Sequence, residues 1–96
     1  MADKFLESKI KDGKVTLFVK AGCPYSRNAL EMLKQYNFAP GRLQVFDINE
    51  SRDARDYFQA TVPRVFIGRH CLGGLPELEN VRCRLPTMLQ RIGALR

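Results

Sequence analysis

An α/β fold follows from three features of this 96-residue chain. Val15-Thr16-Leu17-Phe18-Val19 is an unbroken β-branched and aromatic run, and Leu43 to Ile48 and Val62 to Ile67 repeat the pattern. Segments with apolar residues at helical spacing alternate with these runs. Strands alternating with helices build a sheet layered against helices.

Taken in order, Phe5, Leu6 and Ile10 share one face of a short helix over residues 3–10, ended by Asp12-Gly13. The run from Val15 to Val19 is too continuous for a half-exposed strand and predicts a central strand covered on both faces. From Cys23 the period changes. Ala29, Leu30, Leu33 and Tyr36 mark one face of a helix whose first turn accommodates Pro24, and Asn37 to Gly41 ends it. Leu43 to Ile48 is the second strand. The polar segment with Ala54, Tyr57 and Phe58 predicts a helix of about two turns capped near Asn49 or Ser51. Pro63 opens the third strand, residues 71–72 pair as a short fourth, and Gly73-Gly74 ends it. Leu85, Met88, Leu89 and Ile92 define a last helix before Gly93.

Composition narrows the function. Residues 1–96 read as one domain without repeats or linkers, and 45% apolar residues are enough for a core. No apolar run approaches the roughly 20 residues that span a bilayer, and Met1 to Glu7 carries acids where a secretory signal would be apolar. No membrane partner is expected. Three cysteines, at 23, 71 and 83, are an odd count whose spacing matches no zinc pattern, so no metal site is expected. Sparse free thiols suit a reducing compartment, and the cytosol is the expected location. The net charge of +6 comes from 16 basic residues scattered among 10 acids, with no nucleic-acid-reading motif. A solvated surface with a cationic groove for a small anion is expected, rather than a nucleic-acid partner.

The chemistry centres on Cys23, placed where a strand runs into a helix. A helix start presents free N–H groups and the positive end of the dipole, both of which favour thiolate over thiol. Lys20 adds a cation three residues away. The thiolate is the nucleophile, so Cys23 is read as an attacking sulfur. Cys71 is expected to be a buried small apolar residue, Cys83 an inert thiol, and His70 a surface residue.

Three motifs occur in order: Lys20-x-x-Cys23-Pro24-Tyr25-Ser26, Thr61-Val62-Pro63-Arg64-Val65-Phe66-Ile67-Gly68, and Cys71-Leu72-Gly73-Gly74. Together they resemble the glutaredoxins, small enzymes that use glutathione. The ending Gln90 to Leu95 and the opening helix look like the vertebrate and poxvirus cytosolic members. The likeness runs over nearly the whole chain and is weakest at residues 49–60 and 75–86. It implies a thioredoxin fold, a central mixed four-stranded sheet flanked by helices, in a single monomeric glutaredoxin-like domain. It also implies glutathione as co-substrate and glutathionylated proteins as partners. By the same resemblance Cys23 is catalytic and Pro63 is cis, with the Val62 backbone pairing with the cysteine of glutathione. Lys20 and Arg55 would hold the glycine carboxylate, Glu77 would face the γ-glutamyl amine, and Tyr25 would flank the sulfur. Thr61, Gly74 and Leu75 would complete the binding set.

The chain departs from the family pattern at three places. Ser26 stands where dithiol members carry the resolving cysteine, either natively or as a Cys→Ser replacement that traps the mixed disulfide. The segment between Ile48 and Thr61 is several residues short, so the helix carrying Arg55 must be brief. Pro76 lacks the backbone N–H that relatives use near this point to hold the γ-glutamyl carboxylate, and Leu75 replaces a small or sulfur-bearing residue. The expected function is glutathione-dependent reduction of protein–glutathione mixed disulfides by a monothiol route through Cys23. Two other classes stand beside it. One is a glutathione-ligated [2Fe–2S] carrier, whose dedicated members have Cys-Gly-Phe-Ser and a longer insert after the lysine. The other is a non-catalytic thioredoxin-fold binding module.

Overall fold

The computed structural model describes residues 8–50, 52 and 62–96. Strand β1 (Val15–Val19) leads into helix α1 (Pro24–Lys34), and β2 (Leu43–Asp47) follows with a 3-10 turn over Ile48–Glu50. The chain continues with β3 (Arg64–Ile67), β4 (His70–Gly73) and α2 (Leu75–Asn80), then a 3-10 turn over Arg82–Arg84 and α3 (Leu85–Arg91).

The four strands form one sheet in the order β2-β1-β3-β4. β1 runs parallel to β2, pairing Val15 with Leu43, and antiparallel to β3, pairing Val15 with Ile67. β3 and β4 are antiparallel, with a register shift between Val65 and Phe66. The sheet is therefore mixed, and β1 is central, as its unbroken apolar run predicts. Val15, Thr16, Leu17 and Phe18 are all fully buried.

Alternation along the strands divides the core in two, because successive side chains point to opposite faces. Val15, Leu17, Val65 and Ile67 pack with Ala29 and Leu33 of α1, Leu75 and Leu78 of α2, and Leu85 and Leu89 of α3. Phe18 and Phe66 turn the other way and join Ile10 and Ile48. There Phe18 stacks on Phe46 at 5.6 Å and meets Phe66 edge-on at 5.8 Å. The one hydroxyl on this face of β1, Thr16 Oγ1, accepts the Gln44 side-chain N–H at 3.1 Å, which removes the penalty for burying it.

The sequence reading assigned no element to residues 75–80, and the chain forms a short helix there. Pro76 falls in the first turn, where its missing N–H costs nothing. The Glu77 carboxylate accepts the Gly74 N–H at 2.7 Å, and Leu78 N–H reaches Gly74 C=O at 3.0 Å. Leu75 and Leu78 drive this turn onto the core. Cys71 is a correction: it is exposed, because β4 is an edge strand. The opening helix over residues 3–10 lies largely outside the described residues, as does the helix expected around Ala54 to Phe58. No helix among the described residues is long and apolar enough to cross a membrane.

Candidate active site

The sheet brings the C-terminal end of β1 to the start of α1, and the turn between them carries Cys23. Gly22 adopts φ +86°, a left-handed conformation that side chains resist. This lets the chain reverse into the helix. Cys23 N–H donates to Lys20 C=O at 3.1 Å, and Cys23 itself is the N-cap, in extended geometry, with Pro24 beginning the helix. A cysteine at this position stands among the helix's unpaired N–H groups rather than within the hydrogen-bonded ladder.

The Cys23 thiol is held below its usual range. The Ser26 backbone N–H contributes most, followed by the Ser26 hydroxyl, and burial opposes both by disfavouring the charge. The Tyr25 N–H and the Lys20 charge also lower it, by less. Lys20 and the helix start were the features expected to activate the thiol. The helix start acts through the Ser26 and Tyr25 N–H groups, and Lys20 is the weakest of the contributors.

Ser26 is buried on the inner face of α1, and its oxygen accepts the Lys20 backbone N–H at 3.2 Å. An oxygen that accepts from Lys20 keeps its own proton available for Cys23. The residue in the resolving position is thus part of the thiol's hydrogen-bond shell. Sequence reasoning placed Ser26 at the site by motif but gave it no such role.

Two cavities flank this helix start. One is a groove of about 250 Å³ bounded by Tyr25 on one side and by Val62, Pro63, Gly74, Leu75 and Glu77 on the other. The Val62–Pro63 peptide is cis, as the resemblance implies. Tyr25 is 63% exposed at the rim, whereas Leu75 is buried and offers the groove little beyond its edge. Glu77 is exposed with one carboxylate oxygen already engaged by Gly74. The second cavity, about 590 Å³, contains Cys23 together with Lys20 and Ser26. Of the expected site residues, Cys23, Ser26 and Lys20 meet at one cavity, and Tyr25, Val62, Pro63, Gly74, Leu75 and Glu77 meet at the other. Arg55 and Thr61 lie outside the described residues. Arg64 and Pro76 also line the groove, and Arg27 and Asn28 line the second cavity. Arg64 was legible as the residue after the cis proline, and Arg27 as the cation one turn beyond Cys23.

A mixed sheet with a thiolate-favouring cysteine at the start of its first long helix, opposite a cis-proline loop, defines a thioredoxin-fold thiol oxidoreductase. The glutaredoxin family model matches residues 15–72, which include all four strands except the last residue of β4. The chain is 53% identical to Glutaredoxin-1 of Gallus gallus over 99% of both sequences. It is 39% identical to Glutaredoxin-1 of vaccinia virus, over 100% of this chain and 98% of that one. The crystal structure of a buckwheat glutaredoxin–glutathione complex superposes on 100% of this chain and 94% of its own, with a TM-score of 0.85 at 24% identity. The chain belongs to the glutaredoxin family and is a glutathione-dependent thiol–disulfide oxidoreductase.

Proposed function

We propose that this protein removes glutathione from protein–glutathione mixed disulfides by a monothiol route, with Cys23 as the only reacting cysteine. The observation that carries this reading is the Ser26–Cys23 pairing: the thiolate is prepared, and the residue one helical turn away is a hydroxyl that cannot form a disulfide.

In the first step the Cys23 thiolate attacks the glutathione sulfur of the mixed disulfide. The Cys23–glutathione S–S bond forms as the bond to the target breaks. The target cysteine leaves as a thiolate and takes a proton from solvent. In the second step the thiolate of a free glutathione attacks the same glutathione sulfur. Oxidised glutathione departs and the Cys23 thiolate is regenerated. The net reaction is an exchange: the mixed disulfide and one glutathione thiol become the target thiol and oxidised glutathione. A low thiol pKa serves both halves, because it makes Cys23 a thiolate when it attacks and a good leaving group when it is displaced.

Glutathione bound across the groove accounts for the rest of the site. The Val62 backbone pairs with its cysteine in the manner of an added strand. Lys20 and Arg55 take the glycine carboxylate, Glu77 faces the γ-glutamyl amine, and Thr61, Pro63, Gly74 and Leu75 shape the wall beside Tyr25. Free, unbridged thiols suit a reducing compartment, and we assign the protein to the cytosol as a monomer.

Incubation with oxidised glutathione followed by intact mass measurement tests the assignment, with Cys23→Ser as control. One reversible adduct in the parent protein and none in the variant is the expected result. An adduct that persists in Cys23→Ser moves the chemistry to Cys71 or Cys83, and no adduct in either protein overturns the proposal.

A further inference from the structure

The larger cavity is not used by the glutathione contacts proposed above, apart from Lys20. Its lining shares no residue with that of the Tyr25–Glu77 groove. Val19 and Leu30, both half-buried, contribute apolar surface, and Lys20, Arg27 and Asn28 supply polar groups. At about 590 Å³ it is more than twice the volume of the groove, enough for several side chains. Arg27 stands one turn into α1, exposed, its backbone N–H donating to Cys23 C=O at 3.1 Å, and it lines the same cavity as Cys23. Neither Lys20 nor Arg27 has a carboxylate partner, among the described residues, within ion-pair distance. The first turn of α1 contains no acid to neutralise them.

We propose that this cavity docks the polypeptide flanking the glutathionylated cysteine of the target, and that Arg27 selects targets with an acidic residue in that flank. The inference rests on the function proposed above. Lys20 is there engaged with the glycine carboxylate, which leaves Arg27, of the two cations lining the cavity among the described residues, for the target. Attack in line along the disulfide sets the target cysteine beyond the glutathione sulfur. An extended flank advances about 3.3 Å per residue. A side chain two to four positions from the cysteine thus lies roughly 7–13 Å along the flank, the scale of a cavity lined by both Cys23 and Arg27. Val19 and Leu30 provide apolar contact for a neighbouring side chain, and Asn28 offers an amide that pairs with donors or acceptors of the flank's backbone.

The test uses two glutathionylated peptides that differ only in an Asp or a Lys three residues from the cysteine, with the glutathione–2-mercaptoethanol mixed disulfide as a substrate without a flank. The full-length protein is compared with Arg27→Glu. The parent protein is expected to prefer the Asp peptide in kcat/KM by about threefold to fivefold, the scale of an exposed ion pair. The preference should shrink as salt is raised toward 1 M, where screening acts within about 3 Å. Arg27→Glu is expected to reverse the preference, read as the ratio of kcat/KM for the two peptides, which a general change at Cys23 leaves alone because it acts on both peptides and on the small disulfide equally. Equal rates on the two peptides in the parent protein, or a preference untouched by Arg27→Glu, overturn the proposal. A variant effect of equal size on all three substrates overturns it as well, because it assigns the cavity to glutathione. Failure of the parent protein on the small disulfide would instead overturn the deglutathionylation reading on which this one rests.

Discussion

The Lys20 backbone N–H donates to the Ser26 hydroxyl oxygen at 3.2 Å, tying the end of β1 to the first turn of α1 across six residues. The bond uses the oxygen as an acceptor and leaves the hydroxyl proton free to be donated. With its oxygen committed to Lys20, Ser26 donates toward Cys23, where it is the second-largest of the influences that hold the thiol down. The same bond closes the turn that carries Gly22 and Cys23, so structure and activation share one contact.

Replacing Ser26 with Ala removes the hydroxyl but leaves the Ser26 backbone N–H, the larger contributor. The Cys23 pKa is therefore expected to rise without returning to the ordinary thiol value of about 8.5. It also leaves the Lys20 N–H without its acceptor, at a cost of about 1–3 kcal/mol if no water replaces it. The pH profile of Cys23 alkylation by iodoacetamide reads the first effect, and chemical denaturation reads the second. An unchanged alkylation profile would show that the hydroxyl does not reach the sulfur.

The depressed Cys23 pKa links stability to pH with a definite sign. Between the folded value and the ordinary thiol value, the unfolded chain holds a proton that the folded chain has released. Stability from this group thus increases as pH rises through that window and is lost as pH falls through the folded pKa. Comparing denaturation midpoints of the parent protein and Cys23→Ala over a pH series isolates the contribution, because other titrating groups cancel. The difference between the two curves is expected to grow in favour of the parent protein with rising pH and then level off above the ordinary thiol value. A flat difference would contradict the pKa depression.

Gly73 adopts φ +126°, and a Cβ there would stand 2.6 Å from the Glu77 Cγ. Gly73→Ala therefore combines backbone strain of about 1–3 kcal/mol with displacement of the side chain that receives the Gly74 N–H. Gly41→Ala is the matched control, since Gly41 has φ +75° with nothing within 4 Å of a built Cβ. Both variants are expected to melt lower. Only Gly73→Ala is expected to weaken glutathione binding, measured by titration calorimetry on the Cys23→Ser background.

Legibility in the sequence followed how local each feature is. β1 and α1 were readable because their apolar residues repeat at a strand or helix period over five or more positions, and burial of Leu17, Ala29 and Leu33 follows directly. α2 was not. It has six residues, it begins with a proline after two glycines, and it is a helix because Leu75 and Leu78 find the core and Glu77 caps Gly74. None of those partners is visible as a period. The placement of Cys23 at a helix start and the residues of the groove were legible through motif order, but the contact of Ser26 was not. It is made with Lys20 and exists only once β1 and α1 have met. Cys71 was misjudged because a small thiol in a strand suggests burial, whereas β4 lies at the sheet edge.

Pro76 sits in the first turn of α2 at the wall of the groove, where any other residue would present an N–H. Pro76→Ala adds that donor next to Gly74 and Glu77, the corner proposed to receive the γ-glutamyl end of glutathione. Two effects of opposite sign are expected. Stability should fall by about 0.4–1 kcal/mol, because alanine restores freedom to the unfolded chain that proline removes. KM for glutathione should also fall, by roughly fivefold, the scale of one added hydrogen bond to a charged group partly discounted for exposure. Measuring both in one variant separates them from a general loosening of the helix, which would lower stability and raise KM together. A KM that stays constant while stability falls would show that the γ-glutamyl carboxylate does not reach this turn.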